Sequence, residues 1–303
     1  MSAHRITPHT IGQLRERGRV QVGYITQLAW SPDGAALAIA HGGGVSLWQG
    51  GFGGSPSLTL EHAAPVKGIA FSPDSKVLAT GSADMQVRLW LMASGRSLFV
   101  MRGHTDRVNA VAISPDGRLI VSGGADRALR LVDLMDSRGL NPLNGHTDSV
   151  TQVAFTTESR TIVSASADAT IQLWNITTPD STFTHRYDDG VRAFAVSRDG
   201  ASLAAGLANG DLIVSGLGLT FEHWRKLAHE GGVDTVAYAP DGTLIVTGGR
   251  DFTAKLWDSA TGDLLATVEG HTKPILTAAF NPPGTMLVTG SGDNTAVLWM
   301  VDA

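Results

Sequence analysis

Cysteine is absent from the 303 residues. That excludes disulfides, thiolate metal sites and a cysteine nucleophile, and it fits any redox compartment. Charged residues are sparse at 17%, against about 25% in an ordinary soluble domain. No apolar run approaches the ~18 residues a bilayer span requires. The opening MSAHRITPHT has no apolar stretch of the signal-peptide kind. A cytoplasmic protein without membrane contact is the expectation. Basic residues are mostly Arg (18, with 5 Lys), and only Arg15, Arg17 and Arg19 form a local run. With a net charge of −5, a bulk nucleic-acid surface is disfavoured. There is no HExxH, phosphate-cradling loop or metal-spaced cluster, so no cofactor and no metal is expected.

Glycine, by contrast, is abundant at 36 residues, as a turn-rich all-β chain requires. Seven related turn motifs begin at Ser31 (SPDG), Ser72 (SPDS), Ser114 (SPDG), Thr156 (TTES), Ser197 (SRDG), Ala239 (APDG) and Asn281 (NPPG), always 41 or 42 residues apart. A period this regular means one structural unit used seven times. In the unit around Ser72, apolar runs at 66–71, 77–80, 87–90 and 98–101 are separated by SPDS, GSAD and Ser94-Gly95. Short runs at this spacing, with a turn signal in each gap, read as four strands, here called a to d. Two residues before every turn motif stands an alanine: Ala29, Ala70, Ala112, Ala154, Ala195, Ala237 and Ala279. Strands that converge on a central axis leave room only for a small side chain, which points to sheets arranged radially.

The pattern GH…V..V.FSPDG..L.TGS.D..V.LW, legible at 103–132, 145–174, 229–257 and 270–299, resembles the WD40 repeat family. A tryptophan column holds Trp48, Trp90, Trp174, Trp257 and Trp299. The aspartate that follows it in the family stands only at Asp258, and at Asp133 after a valine. The resemblance covers residues ~20 onward. It implies an all-β fold, a seven-bladed β-propeller of four-stranded antiparallel blades, as a single domain over 1–303. The seventh unit reaches its strand c at Trp299, so the residues before the first strand a should supply its outer strand. Residues 10–20 are the expected closing strand, with 13–20 its body and the register open.

Further columns recur in register. His62, Thr80, Asp84 and Trp90 form one set; His146, Ser164, Asp168 and Trp174 a second; His229, Thr247, Asp251 and Trp257 a third; His271, Thr289, Asp293 and Trp299 a fourth. His104, Ser122 and Asp126 form a partial set with Val132 in the tryptophan column. The d–a and b–c loops lie on the same side of each sheet, so His can bond Asp, hydroxyl and indole in series. These residue types resemble a Ser-His-Asp triad. Catalysis needs one exposed nucleophile beside an oxyanion hole, and copies around a ring fit internal networks better. The family resemblance also implies structural tetrads, and no catalytic residue is assigned. Unit one (Gln21, Ile39, Gly42, Trp48) and unit five (Tyr187, Ala205, Asn209, Ser215) break the pattern. They have either drifted or adapted to contact.

The resemblance also implies a non-enzymatic scaffold, a monomer that takes a protein or peptide partner on the face with the d–a and b–c loops. Candidate contact residues are Arg107, Arg127, Tyr187, Arg192, Arg250 and Phe252, types enriched at hot spots. Met85, Asp188, Asp189 and Lys273 stand beside them. A column at the channel mouth holds Lys67, Asn109, Thr151, Arg192, Asp234 and Leu276. Trp30 is expected in the core, and Trp224 on the outer strand of unit five. Two alternatives are a hydrolase or lyase acting across the channel, for which the column offers only Asp234 as an acid, and a nucleic-acid-binding propeller, which needs a basic rim.

Overall fold

A computed structural model describes residues 4–50, 52–136, 138–140, 142–177, 181–218 and 221–302. Residues 1–3 and 303 of the expected domain lie outside the described residues. Runs of five or six β-branched and apolar residues, each ended by a tight turn, form antiparallel strands grouped into seven sheets. Blade two is typical, with strands Val66–Phe71, Val77–Ser82, Val87–Leu91 and Arg96–Met101 hydrogen-bonded in that order. The seven a strands are Ile25–Trp30, Val66–Phe71, Val108–Ile113, Val150–Phe155, Val191–Val196, Val233–Tyr238 and Ile275–Phe280. Each packs on the next, and the last packs on the first. The sheets therefore close into the expected seven-bladed ring. The only helix among the described residues is a short 3-10 turn, Ile11–Gln13.

The closing strand is Leu14–Gln21, paired antiparallel with Thr295–Val301 so that Leu14 faces Val301 and Gln21 faces Thr295. The register slips between Glu16 and Gly18. This bulge breaks the period-two alternation, and only Leu14 and Val20 of the strand are buried. Blade three also departs from the unit. Its outer strand is split into Arg138–Gly139 and Leu143–Asn144, both pairing with Ala128–Asp133.

The core is not one mass but seven clusters, each between adjacent blades. Between blades six and seven it extends to Ile6 and Ile11, ahead of the closing strand. Close approach of the sheets depends on small residues in strand b. A Cβ at Gly123 would stand 2.4 Å from Val150 Cγ1 of the next blade, so only glycine fits there. The alanine column is half-buried on strand a in all seven blades. Side chains of strand a also bond the neighbouring blade's backbone. Gln152 exchanges two 2.8 Å hydrogen bonds with Phe194, Gln27 Oε1 accepts from Ile69 N at 2.6 Å, and Thr277 Oγ1 accepts from Leu28 N at 3.0 Å.

The a–b turns carry the same chemistry where the sequence has Ser and Asp. Ser31 Oγ donates to Asp33 Oδ1 at 2.6 Å and accepts from Ala36 N at 2.8 Å. Where glycine is missing, Ser75 and Ser159 take its left-handed conformation (φ 61° and 57°). Their hydroxyls accept from Asp33 N and Asp116 N of the preceding blades, both at 3.2 Å.

Candidate functional site

The face opposite those turns is built by two devices. The first is a β-bulge at the start of every a strand, where the register slips across one residue. The bulged residues are Thr26 and the six of the expected channel-mouth column, Lys67, Asn109, Thr151, Arg192, Asp234 and Leu276. A bulge re-aims its side chain out of the pleat. Several of these side chains stitch blades together rather than stand free. Thr26 donates to Val66 O at 2.6 Å, Asn109 to Val150 O at 2.9 Å and Thr151 to Val191 O at 2.8 Å. Arg192 pairs with Asp234 at 3.0 Å, and Arg250 reaches the other oxygen of the same carboxylate at 3.2 Å.

The second device is the b–c turn. Its residue after the Asp column has positive φ in blade after blade: Met85 67°, Arg127 68°, Ala169 65°, Gly210 99°, Phe252 69° and Asn294 73°. That position suits glycine, and a bulky residue there is strained. Met85 is nevertheless 45% exposed and Phe252 43% exposed. Arg127 and Arg107 of blade three are exposed as well.

Below this rim lie the histidine networks. In blade four, His146 Nδ1 is 3.0 Å from Asp168 Oδ2, His146 Nε2 is 2.7 Å from Ser164 Oγ, and Trp174 Nε1 donates to Ser164 Oγ at 2.8 Å. Blades six and seven repeat the arrangement through His229, Thr247, Asp251 and Trp257, and through His271, Thr289, Asp293 and Trp299. Blade three repeats it without an indole through His104, Ser122 and Asp126. A carboxylate can only accept, so in these blades Nδ1 carries the proton and Nε2 accepts from the hydroxyl. Burial holds these four imidazoles below the usual histidine range, against the pull of their carboxylates. Burial works against Asp293 ionising, yet the N–H of Thr272 and the hydroxyl of Thr295 outweigh it and push its carboxyl down to about 2.

Blade two departs from the expected set. Arg88 stands between His62 and Asp84, ion-pairing with Asp84 at 2.7 Å and facing His62 Nδ1 at 3.3 Å. Guanidinium can only donate, so His62 Nδ1 must accept and the ring proton moves to Nε2, 3.1 Å from Thr80 Oγ1. Trp90 Nε1 donates to the same hydroxyl at 2.9 Å. The tautomer is therefore reversed relative to the other blades. Burial, then Arg88, lowers the His62 pKa to about 4.

Tyr187 is also corrected. It occupies the histidine position of blade five but is 7% exposed and belongs to the core between blades four and five. Ala205 and Ser215 replace the hydroxyl and indole of the network, and the phenol ring fills the vacated volume. Burial pushes its hydroxyl pKa up, with Ser215 as the neighbour that opposes the shift. Blade one substitutes a local pair, His41 Nε2 to Ser46 Oγ at 3.1 Å, and Trp48 Nε1 donates to Gly54 O at 3.3 Å. Trp30 packs half-buried on the core between blades seven and one. Trp224 is half-buried, its indole donating to Ser259 O at 3.0 Å across to blade six.

On the opposite side, a cleft of about 480 Å³ opens between blades two and three, lined by Leu89, Leu98, Phe99, Ile113 and Leu134 with Asp74 and Asp116. Among the described residues no three His, Asp or Glu side chains converge as a metal site would need. No described helix is long and apolar enough to cross a membrane.

The loop-face residue that sequence reasoning missed is Tyr24, 51% exposed with Lys67 Nζ 6.0 Å from its ring centre. The link between Arg192 and Asp234 was also missed. Its signal was present, since the two stand 42 residues apart in the same column of adjacent repeats.

Comparison with known proteins gives local matches. The chain is 32% identical over 87 residues to a periodic tryptophan protein 2 homolog of Dictyostelium discoideum, 28% of this chain and 9% of that protein. It is 39% identical over 84 residues to eukaryotic translation initiation factor 3 subunit I of Phaeosphaeria nodorum, 28% of this chain and 22% of that one. It is 44% identical over 50 residues to a denticleless protein homolog of Danio rerio, 16% of this chain and 7% of that one. These matches span less than a quarter of each relative. The model of the WD domain, G-beta repeat, matches residues 54–90, 95–133, 138–175, 221–258 and 262–300, more than half of the chain. The five segments end in the c strands of blades two, three, four, six and seven, the blades with a His–hydroxyl network, and of blades one and five they take in only the outer strands. The chain belongs to the WD40 repeat family.

Proposed function

We propose that this propeller is a non-enzymatic scaffold that binds a protein or peptide partner on the face formed by the d–a and b–c loops. The observation that carries the reading is the run of strained, exposed residues on the b–c turns. Glycine would relieve the backbone at Met85, Arg127 and Phe252, yet the chain displays large contact-forming side chains there. Strain kept at exposed positions is a mark of functional surface. The histidine networks support the non-enzymatic reading, because their imidazoles are engaged on both ring nitrogens beneath the rim. One relative is by name a subunit of a larger factor, in keeping with a role in assembly. The same reading makes the protein a cytoplasmic monomer.

The test is partner capture with a photo-crosslinking residue placed at Arg127, at Phe252 or at Leu98 in the opposite cleft. Adducts form from the first two positions and not the third. Arg127→Ala combined with Phe252→Ala abolishes capture without lowering the melting temperature. Capture through Leu98 alone moves the site to the other face.

A further inference from the structure

The cations of the loop face are paired unevenly around the ring. On blades four to six the cations of the a strands and b–c hairpins are paired: Arg192 and Arg250 share Asp234, Arg225 is held by Asp188 and Asp211, and Lys255 pairs with Asp251, while Arg186 and Lys226 on the outer strands stand exposed. Asp148, Asp189 and Glu230 stand exposed among them. Blades seven, one, two and three differ. Lys273, Lys67, Arg107 and Arg127 form no ion pair among the described residues. Acids occur here too, with Glu61 and Glu269 where outer strands end and Asp106 in blade three. The inner bulges and b–c turns of this arc carry none beyond the largely buried Asp84, Asp126 and Asp293.

The arc is continuous. A Cβ at Gly292 would meet the Tyr24 ring at 3.4 Å, Lys273 Cβ at 3.8 Å and Leu276 Cδ1 at 3.9 Å, so these three side chains surround one point. Lys67 Nζ stands over the Tyr24 ring, 6.0 Å from its centre. Burial and the neighbouring Arg107 charge both push the Lys67 ammonium below the usual lysine range.

Building on the loop-face reading, we propose that this arc receives an extended acidic segment of the partner, its carboxylates on Lys67, Arg107 and Arg127 and an apolar side chain against Tyr24 and Leu276. A carboxylate between Lys67 and Arg107 relieves their mutual repulsion and gains charge-assisted hydrogen bonds. Tyr24 supplies a rigid aromatic surface beside the cations. A long polyanion is disfavoured because Asp148, Asp189 and Glu230 stand exposed on the remaining half of the face.

Random-peptide display on the full-length protein tests this, followed by fluorescence anisotropy with synthetic peptides. Selected sequences are rich in Asp and Glu around one aromatic or aliphatic residue. An acidic probe of this kind binds at least about tenfold more weakly to the Lys67→Glu, Arg107→Glu variant, whose melting temperature confirms folding. A charge-inverted probe does not bind the parent protein. Peptides that are selected, and blocked by loop-face substitutions, but lack acidic bias overturn the proposal and leave the loop-face reading intact. No selection, or binding lost through Leu98→Ser instead, overturns both. Tighter binding of a single-stranded oligonucleotide of equal charge makes the arc a polyanion site and overturns the peptide assignment.

Discussion

At the scale of single residues, one guanidinium rewires a network. Arg88 separates His62 from Asp84, whereas Gln172 stands in the same column of blade four and leaves His146 bonded to Asp168. Arg88→Gln should therefore install the blade-four arrangement in blade two. The His62 titration midpoint then rises from about 4 toward the ordinary histidine value, measured by NMR of the ring protons. An unmoved midpoint would show that burial alone sets it. The sign for stability follows. A histidine held neutral in the fold binds its proton first in the unfolded chain. Its stabilisation is complete above the unfolded value and is lost as pH falls toward the folded one. Thermal stability should drop between about pH 6.5 and 4, and Arg88→Gln should flatten that slope. Asp168→Ala tests the intact network. It leaves a buried imidazole N–H and the Thr147 N–H without their acceptor, at a cost of about 1–3 kcal/mol in urea unfolding. The His, hydroxyl, Asp and Trp columns were legible because a 42-residue period puts them in register. The Arg88 intrusion was not, because it depends on which way one long side chain turns. Tyr187 was misread because a d–a loop position implies exposure. The reason for its burial sits 18 and 28 residues away, in the small Ala205 and Ser215.

At the scale of elements, the b–c turns decide between stability and contact. A left-handed residue other than glycine costs about 1–2 kcal/mol, and glycine returns part of that gain by loosening the unfolded chain. Met85→Gly and Phe252→Gly should each stabilise the fold by about 0.5–1 kcal/mol in denaturant unfolding while weakening partner capture. Stability lost in both variants would mean that these side chains serve packing, and the functional account of their strain would fail. The inner strands were legible, since each apolar run is bounded by Gly, Pro, Ser or Asp. The bulges were not, because a bulge changes pairing without changing composition. The split outer strand of blade three is likewise a matter of pairing, and the regular period conceals it.

At the scale of the whole molecule, closure matters more than any one blade. Each cluster of the core belongs to two blades, so a ring has no terminal unit with an unburied face. The outer edge of the seventh sheet is covered by Leu14–Gln21 on Thr295–Val301. Reading the repeats made the need for such a strand clear, but not its register. A charge-rich segment, LRERGRVQ, bulged at its centre, has no alternation to align. What it covers is the segment Thr295–Val301, TAVLWMV, with no charge, proline or glycine. An exposed edge of that composition pairs readily with copies of itself. Removing residues 1–21 should therefore leave a chain that elutes as oligomers in size-exclusion chromatography and binds an amyloid dye on warming. A synthetic peptide spanning residues 4–22, added in trans, should restore the elution volume of the intact chain and a single cooperative unfolding transition. The closing strand also contributes Leu14, with Ile6 and Ile11 ahead of it, to the cluster between blades six and seven. A peptide with Ile6, Ile11 and Leu14 all replaced by Ser should then fail to rescue despite keeping its backbone hydrogen bonds. Should the truncated chain elute as the intact one does, with an unchanged melting temperature, the ring would be closed by its inner strands alone, and the N-terminal strand would be dispensable to the fold.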